Sequence, residues 1–172
     1  NTARKKPSHL DLIGRARMVD VTSKPSTLRE AVAEGSVTMR PSTLRLITRG
    51  TLEKGDTLAL ARAAGIMAAK RVGEFIPLCH SLNIGFAEVS FSPRPAKGVL
   101  GIKARVRSEG KTGVEMEALT AVAIASLTIY DMAKSVDKGV VIGKIRLLEK
   151  RGGKSDFILR AKRVTLSRRP GA

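Results

Sequence analysis

Residues 113–136 read GVEMEALTAVAIASLTIYDMAKSV, and this stretch decides the fold. Ala, Leu and Ile recur almost all round its middle, and no charge falls between Glu117 and Asp131. A helix apolar on nearly every side needs cover on nearly every side, so the pattern predicts a long helix buried against a sheet. The strands that would supply the sheet lie on both flanks. Residues 84–92 (IGFAEVSFS) and 99–107 (VLGIKARVR) read as a hairpin joined by SPRPAKG, the second alternating through Leu100, Ile102, Ala104 and Val106. After the helix, residues 140–148 and 157–164 read as closing strands. Further upstream, Asp56 is a good N-cap for a helix over TLALARAAGIMAAKRVGEF, which Pro77 stops. Pro41-Ser42-Thr43 opens a shorter helix ending at Gly50, and residues 28–39 read as a strand, with a helix as the alternative. Residues 18–23 (MVDVTS) alternate and are expected to be extended. Strand, helices, hairpin, helix, strand is the split β-α-β order. It predicts an α+β domain of ferredoxin-like type, an antiparallel sheet with helices packed on one face.

At 172 residues and 42% hydrophobic content, one domain with a real core is expected. Its division is a basic N-terminal arm (1–17), the folded domain (18–166) and a C-terminal tail (167–172). Nothing in the chain reads as a membrane span or signal peptide, so a soluble, cytoplasmic protein is expected. Cys79 is the lone cysteine and His9 and His80 the two histidines, too few for a self-contained zinc site. The formal charge of +17 first suggests nucleic acid. However, residues 1–17 and 150–172 carry +11 of it, and with one Tyr and no Trp there is little to stack on bases. Basic ends on a surface that also binds a small anion is the stronger reading; a basic RNA-binding domain and a catalytically silent interaction subunit are the competitors.

Three clusters carry possible chemistry. Pro77-Leu78-Cys79-His80 puts a thiol and an imidazole on a loop after a helix; a partner-contact histidine is the plain alternative. Neighbours in extended backbone face opposite ways, so Cys79 and His80 are not expected to pair with each other. Gly110-Lys111-Thr112 resembles part of a phosphate-binding loop, but Arg105 stands where that motif needs glycine. What remains is a turn into a helix whose Glu115 and Glu117 would also suit the helix dipole. Asp131 and Lys134, three apart, share a helix face: an ordinary surface ion pair, or a proton-transfer couple if desolvation brings the lysine's pKa down. Arg29, Lys54, Lys70, Lys150 and Lys154 sit near turns or helix ends, the kind of cations that a polyphosphate needs.

Together these segments resemble the cyclic pyranopterin monophosphate synthase family, also called MoaC. The resemblance rests on MVDV, VTMR, KGD, AGIMAAKR, IPLCH, KTGVEMEALTA, LTIYDM, and LLEKRGGKSDF, and spans nearly the whole chain. It implies a ferredoxin-like subunit assembled as a hexamer of three dimers. It also implies conversion of 3′,8-cyclo-7,8-dihydroguanosine 5′-triphosphate to cyclic pyranopterin monophosphate and diphosphate in molybdenum cofactor biosynthesis. No cofactor is implied, and whether Mg2+ accompanies the triphosphate stays open. Catalytic roles fall by resemblance on Asp131, Lys134 and Lys54. Substrate contacts fall on Leu78, Cys79, His80, Met116, Glu117, Lys70, Arg29, Lys150 and Lys154. The chain departs from the pattern at Ser81, where proline is usual after the histidine, at Ala133, often cysteine, and in GGKSD, which lacks one glycine. The first is expected to loosen the loop carrying His80.

One geometric expectation is independent of the family. Fourteen residues at 1.5 Å rise separate Glu117 from Asp131 by roughly 21 Å along one helix. That is too far for one small molecule's reacting rings, so if both serve one site, it lies between subunits.

Overall fold

The structure is a computed structural model that describes residues 13–159. Strand β1 (Thr27–Thr38) leads through helices α1 (Pro41–Arg49) and α2 (Thr57–Ala69) to the hairpin β2 (Phe86–Arg94) and β3 (Val99–Gly110). Helix α3 (Glu115–Ala133), strand β4 (Val141–Arg151) and a short β5 (Phe157–Ile158) complete it. The sheet order is β2-β3-β1-β4-β5, and every neighbouring pair is antiparallel. Each helical crossover therefore skips one strand, which is the ferredoxin-like arrangement expected from the element order.

Alternation decides which side faces the helices. Ala31, Ala33 and Val37 of β1 sit opposite Val106, Ala104 and Leu100 of β3, and all six are buried. The α3 residues Ala118, Ala121, Val122, Ala125 and Ile129 close the core on them. Small side chains let α2 approach α3: a Cβ on Gly65 would stand 2.8 Å from the Ala121 carbonyl oxygen. Among the described residues α3 is the one helix long and apolar enough to cross a bilayer, and its packing on the sheet makes it a core helix. The opposite sheet face is charged, with Glu30 paired to Arg105 and Arg107, and Glu34 to Arg146.

Several boundaries differ from those read in the sequence. Helix α2 ends at Ala69 rather than continuing to Phe75, because a 3-10 turn over Val72–Glu74 buries Val72 and reverses the chain toward the 78–82 loop. Strands β3 and β4 each run three residues further, to Gly110 and Arg151, because both remain paired with β1 there. Of the predicted 157–164 strand, Phe157 and Ile158 pair with β4, and residues from 160 onward lie outside the described residues, as do 1–12. The end of α3 is tied to α1 by Asp137, a residue that periodicity does not mark. Its buried carboxylate accepts hydrogen bonds from Arg40 N–H (2.8 Å), the Thr43 hydroxyl (3.0 Å) and Gly139 N–H (3.0 Å).

Candidate active site

A cleft of about 580 Å³ opens where five chain segments meet: residues 19–25, the start of β1, the 78–82 loop, the 111–113 turn with the first turn of α3, and the turn after β4. Eight of the expected site residues border it. Arg29 comes from β1, Leu78, Cys79 and His80 from the loop, Met116 and Glu117 from α3, and Lys150 and Lys154 from the β4 end. Antiparallel register is what gathers them, since Arg29 pairs with Ser108 and places its side chain beside the β3 exit. There its guanidinium donates to the carbonyls of Gly110 (3.2 Å) and Lys111 (3.4 Å), so it is positioned before any ligand arrives. Gly153, with φ of +83°, lies so close that a Cβ would stand 1.6 Å from Arg29 Nη1. Only glycine lets the turn that carries Lys154 pass this close to the guanidinium. Lys150 Nζ is 2.6 Å from Glu115 Oε1.

Glu117 is 3% exposed, and burial pushes its carboxyl up to about 7, helped by the nearby Glu115 charge and opposed by a backbone hydrogen bond. Burial and the Glu117 charge likewise raise the Cys79 thiol, so it is a protonated thiol and not an activated nucleophile. Glu117 has a consequence for stability. Its folded pKa exceeds the unfolded value near 4.5, so the native state binds the extra proton between the two. Stability is then highest below pH 4.5 as far as this group is concerned, and falls by about 3 kcal/mol as pH rises to about 7. Urea midpoints measured across this range should show the decline in wild type and lose it in Glu117→Gln.

Asp131, Lys134 and Lys54 form a separate cluster at the far end of α3, outside the cleft. Asp131 Oδ1 is 2.6 Å from Lys134 Nζ and Oδ2 is 3.6 Å from Lys54 Nζ, which also donates to the Asp131 backbone carbonyl at 3.1 Å. In the single subunit the three are solvent-exposed. The hydrogen bond from Lys134, its charge and that of Lys54 hold Asp131 below the usual carboxylate range, and the same contact holds Lys134 above the usual lysine range. A lysine lowered toward neutrality is therefore not what this subunit contains: both side chains are more than half exposed, and the hydrogen bond and charge of Asp131 outweigh the desolvation of the ammonium. Lys70 lies in a smaller cavity of about 250 Å³ with Arg71 and Ser81, which shares Leu82 and Glu117 with the main cleft. Among the described residues no three His, Cys, Asp or Glu side chains gather as a metal site.

Residues 18–153 match the model of the MoaC family. The chain belongs to the MoaC family. It is 64% identical over 148 residues to a protein named cyclic pyranopterin monophosphate synthase from Chloroflexus aggregans, an alignment covering 86% of this chain and 90% of that one. To the protein of the same name from Parvibaculum lavamentivorans it is 57% identical over 153 residues, 89% of this chain and 96% of that one. A de novo designed protein with a ferredoxin fold superposes at a TM-score of 0.37 and 12% identity, covering 77% of this chain and 96% of that one. That likeness is slight, and the strand order itself identifies the fold.

The departures from the MoaC pattern have visible settings. Ser81 seats against Gly73, where a Cβ would meet its hydroxyl at 2.7 Å, and His80 is held from the other side, its Nε2 2.8 Å from the Val19 carbonyl oxygen. The loop is anchored without proline. Ala133 is a fully buried core position, and the shortened GGKSD turn is closed by Gly152 N–H donating to Asp156 Oδ1 at 2.9 Å. Lys24 and Thr27, which no sequence signal marks as site residues, also border the cleft, and so does Lys111, which stands in the KTGVEMEALTA motif without a role assigned to it. Its place directly after a strand and before a helix was the signal that it turns into a site.

Proposed function

We propose that this MoaC-family chain is a cyclic pyranopterin monophosphate synthase of molybdenum cofactor biosynthesis, a phosphorus-oxygen lyase acting on 3′,8-cyclo-7,8-dihydroguanosine 5′-triphosphate. What carries the reading is a coincidence of two observations. Relatives 55–64% identical over most of their length bear that name, and the segments shared with the family motifs fold into one cation-lined cleft and one Lys-Asp-Lys cluster. The cleft suits a triphosphate: Arg29 is fixed in place, and Lys24, Lys111, Lys150 and Lys154 border the same space. In the last step a substrate hydroxyl attacks the α-phosphorus, the bond to the bridging oxygen breaks, and diphosphate leaves with the electron pair. Cations around that diphosphate lower the barrier by stabilising its developing charge. Ring opening and closure need proton transfers, and Asp131, charged as a carboxylate, with the ammonium groups of Lys134 and Lys54, supplies a base and acids within hydrogen-bond reach of each other. Any Mg2+ would arrive with the triphosphate.

The two clusters lie at opposite ends of α3, so the reading includes a site completed by a second subunit, in an assembly we take to be the hexamer of the family. The outer face of α2 and α3 favours this: Leu60, Met67 and Leu127 are each at least half exposed, and the only charge within α2 is Arg62. A cover there would also desolvate the Asp131 cluster. A cytoplasmic location belongs to the same proposal. The test is direct: purified protein incubated with the cyclised nucleotide should release diphosphate and form cyclic pyranopterin monophosphate, read by mass spectrometry. Intact substrate after incubation with folded protein would refute the assignment.

A further inference from the structure

Residues 18–25 form a wall of the cleft without belonging to the sheet. Val19, Val21, Lys24 and Pro25 border the space, and the segment has two internal turns, Thr22 N–H to Asp20 Oδ1 (2.8 Å) and Lys24 N–H to the Val21 carbonyl (3.0 Å). Two side chains from other walls hold it down. Lys111 Nζ donates to the Thr22 carbonyl at 2.6 Å, and His80 Nε2 lies 2.8 Å from the Val19 carbonyl oxygen. Among the described residues, two side-chain hydrogen bonds and two half-buried valines hold 18–25, whereas β1 is tied by a continuous ladder from Thr27, so this segment is the more weakly held of the two.

We propose that residues 18–25 are a strap that opens and closes over the cleft, and that Lys111 is the positioning residue that latches it when a polyphosphate is bound. An ammonium has three donors. One holds the Thr22 carbonyl, and the side chain borders the cleft beside Arg29, whose guanidinium bonds the Lys111 backbone carbonyl. A polyanion there holds Lys111 in the position from which it grips the strap, so that the closed arrangement seen here is favoured over the open one. Closure in turn brings Lys24 to the edge of the same space, adding one positive charge to the anion's surroundings. Anion binding and closure therefore favour each other, which is the differential affinity that a shift in population requires.

The inference rests on the reading of the cleft as a triphosphate site, and inorganic triphosphate is the probe. In hydrogen–deuterium exchange of the full-length protein, adding it should slow the amides of 18–25 about tenfold, together with those of 150–155. Lys111→Met should lose the slowing in the strap and keep it in 150–155, whereas Lys111→Arg should retain both. A wild-type strap unmoved by triphosphate overturns the proposal, and so does a Lys111→Met protein that behaves like wild type. Triphosphate that slows no peptide around the cleft also overturns it. Turnover of the cyclised nucleotide is followed in parallel: an active enzyme with an unresponsive strap refutes the strap alone, and a responsive strap without turnover refutes the enzyme assignment alone.

Discussion

Two inactive variants should restore each other. Asp131→Ala and Arg29→Ala are each expected to turn over at least about 100-fold more slowly than wild type, one losing proton transfer and the other charge stabilisation. Coexpressed in equal amounts, they should recover about a quarter of wild-type activity, because a site drawing Arg29 from one subunit and Asp131 from another is intact whenever both contributors are. The reason is the length of α3. Arg29 and Glu117 meet at its N-terminal end and Asp131 sits near its C-terminal end, so no bending of one subunit brings them around one small molecule. If Arg29→Ala disturbs the 110–111 turn, His80→Ala replaces it in the mixture. Coassembled variants that stay as inactive as either parent would place both clusters in separate sites and end the shared-pocket reading.

Asp137→Ala should cost about 3 kcal/mol, from losing three hydrogen bonds to a carboxylate, one of them to a buried hydroxyl that is left without a partner. Its carboxylate is 5% exposed and serves Arg40 N–H, the Thr43 hydroxyl and Gly139 N–H, with Arg40 Nε at 3.5 Å. Without it, the buried Thr43 hydroxyl loses its acceptor, and the backbone N–H groups of Arg40 and Gly139 lose the bonds that tie the first turn of α1 to the loop after α3. The melting temperature should fall by roughly 10 °C for a chain of this size. The pH dependence separates this from loss of packing. The Arg40 backbone N–H is the foremost cause holding the Asp137 carboxyl below the usual carboxylate range, with Gly139, Thr43 and the Arg40 charge assisting. Its contribution is thus present above the unfolded value of 3.8 and lost as pH falls through the lower folded value. Wild type should lose more stability in that acid window than Asp137→Ala, in which the other lowered carboxylates, Asp131 among them, still titrate. A variant as stable as wild type at neutral pH would show the three hydrogen bonds to be dispensable.

The two effects of pH have opposite signs and come from residues at opposite ends of one helix. Glu117 is a carboxyl buried with little to stabilise its charge, and Asp137 is a carboxyl buried among donors. The family motif marks Glu117 as a site residue, but nothing in the sequence shows that the two carboxyls titrate in opposite directions. Glu117 could be read as a helix-dipole acid, and Asp137 as a turn residue in SVDKGV. What separates them is the number of hydrogen-bond donors supplied by residues about 95 positions away, Arg40 and Thr43 in the case of Asp137.

The elements of the fold were legible because their signals are local. The uncharged run of α3, the alternation of β3, the Asp56 cap of α2 and the Pro- and Gly-bearing turn between β2 and β3 all act through neighbours in the chain, and their order implies the ferredoxin-like sheet. Family motifs likewise marked most of the residues that border the cleft. Tertiary structure decided what those residues are next to. It set Arg29 against the 110–111 turn and Gly153, left Asp131 and its lysines in the open at the other end of α3, and made residues 18–25 a wall of the cleft bonded to Lys111. These are contacts between segments joined through sheet register and helical crossovers. Periodicity along the chain cannot express them, because the energy that makes them is realised only once the strands have paired and α3 has packed.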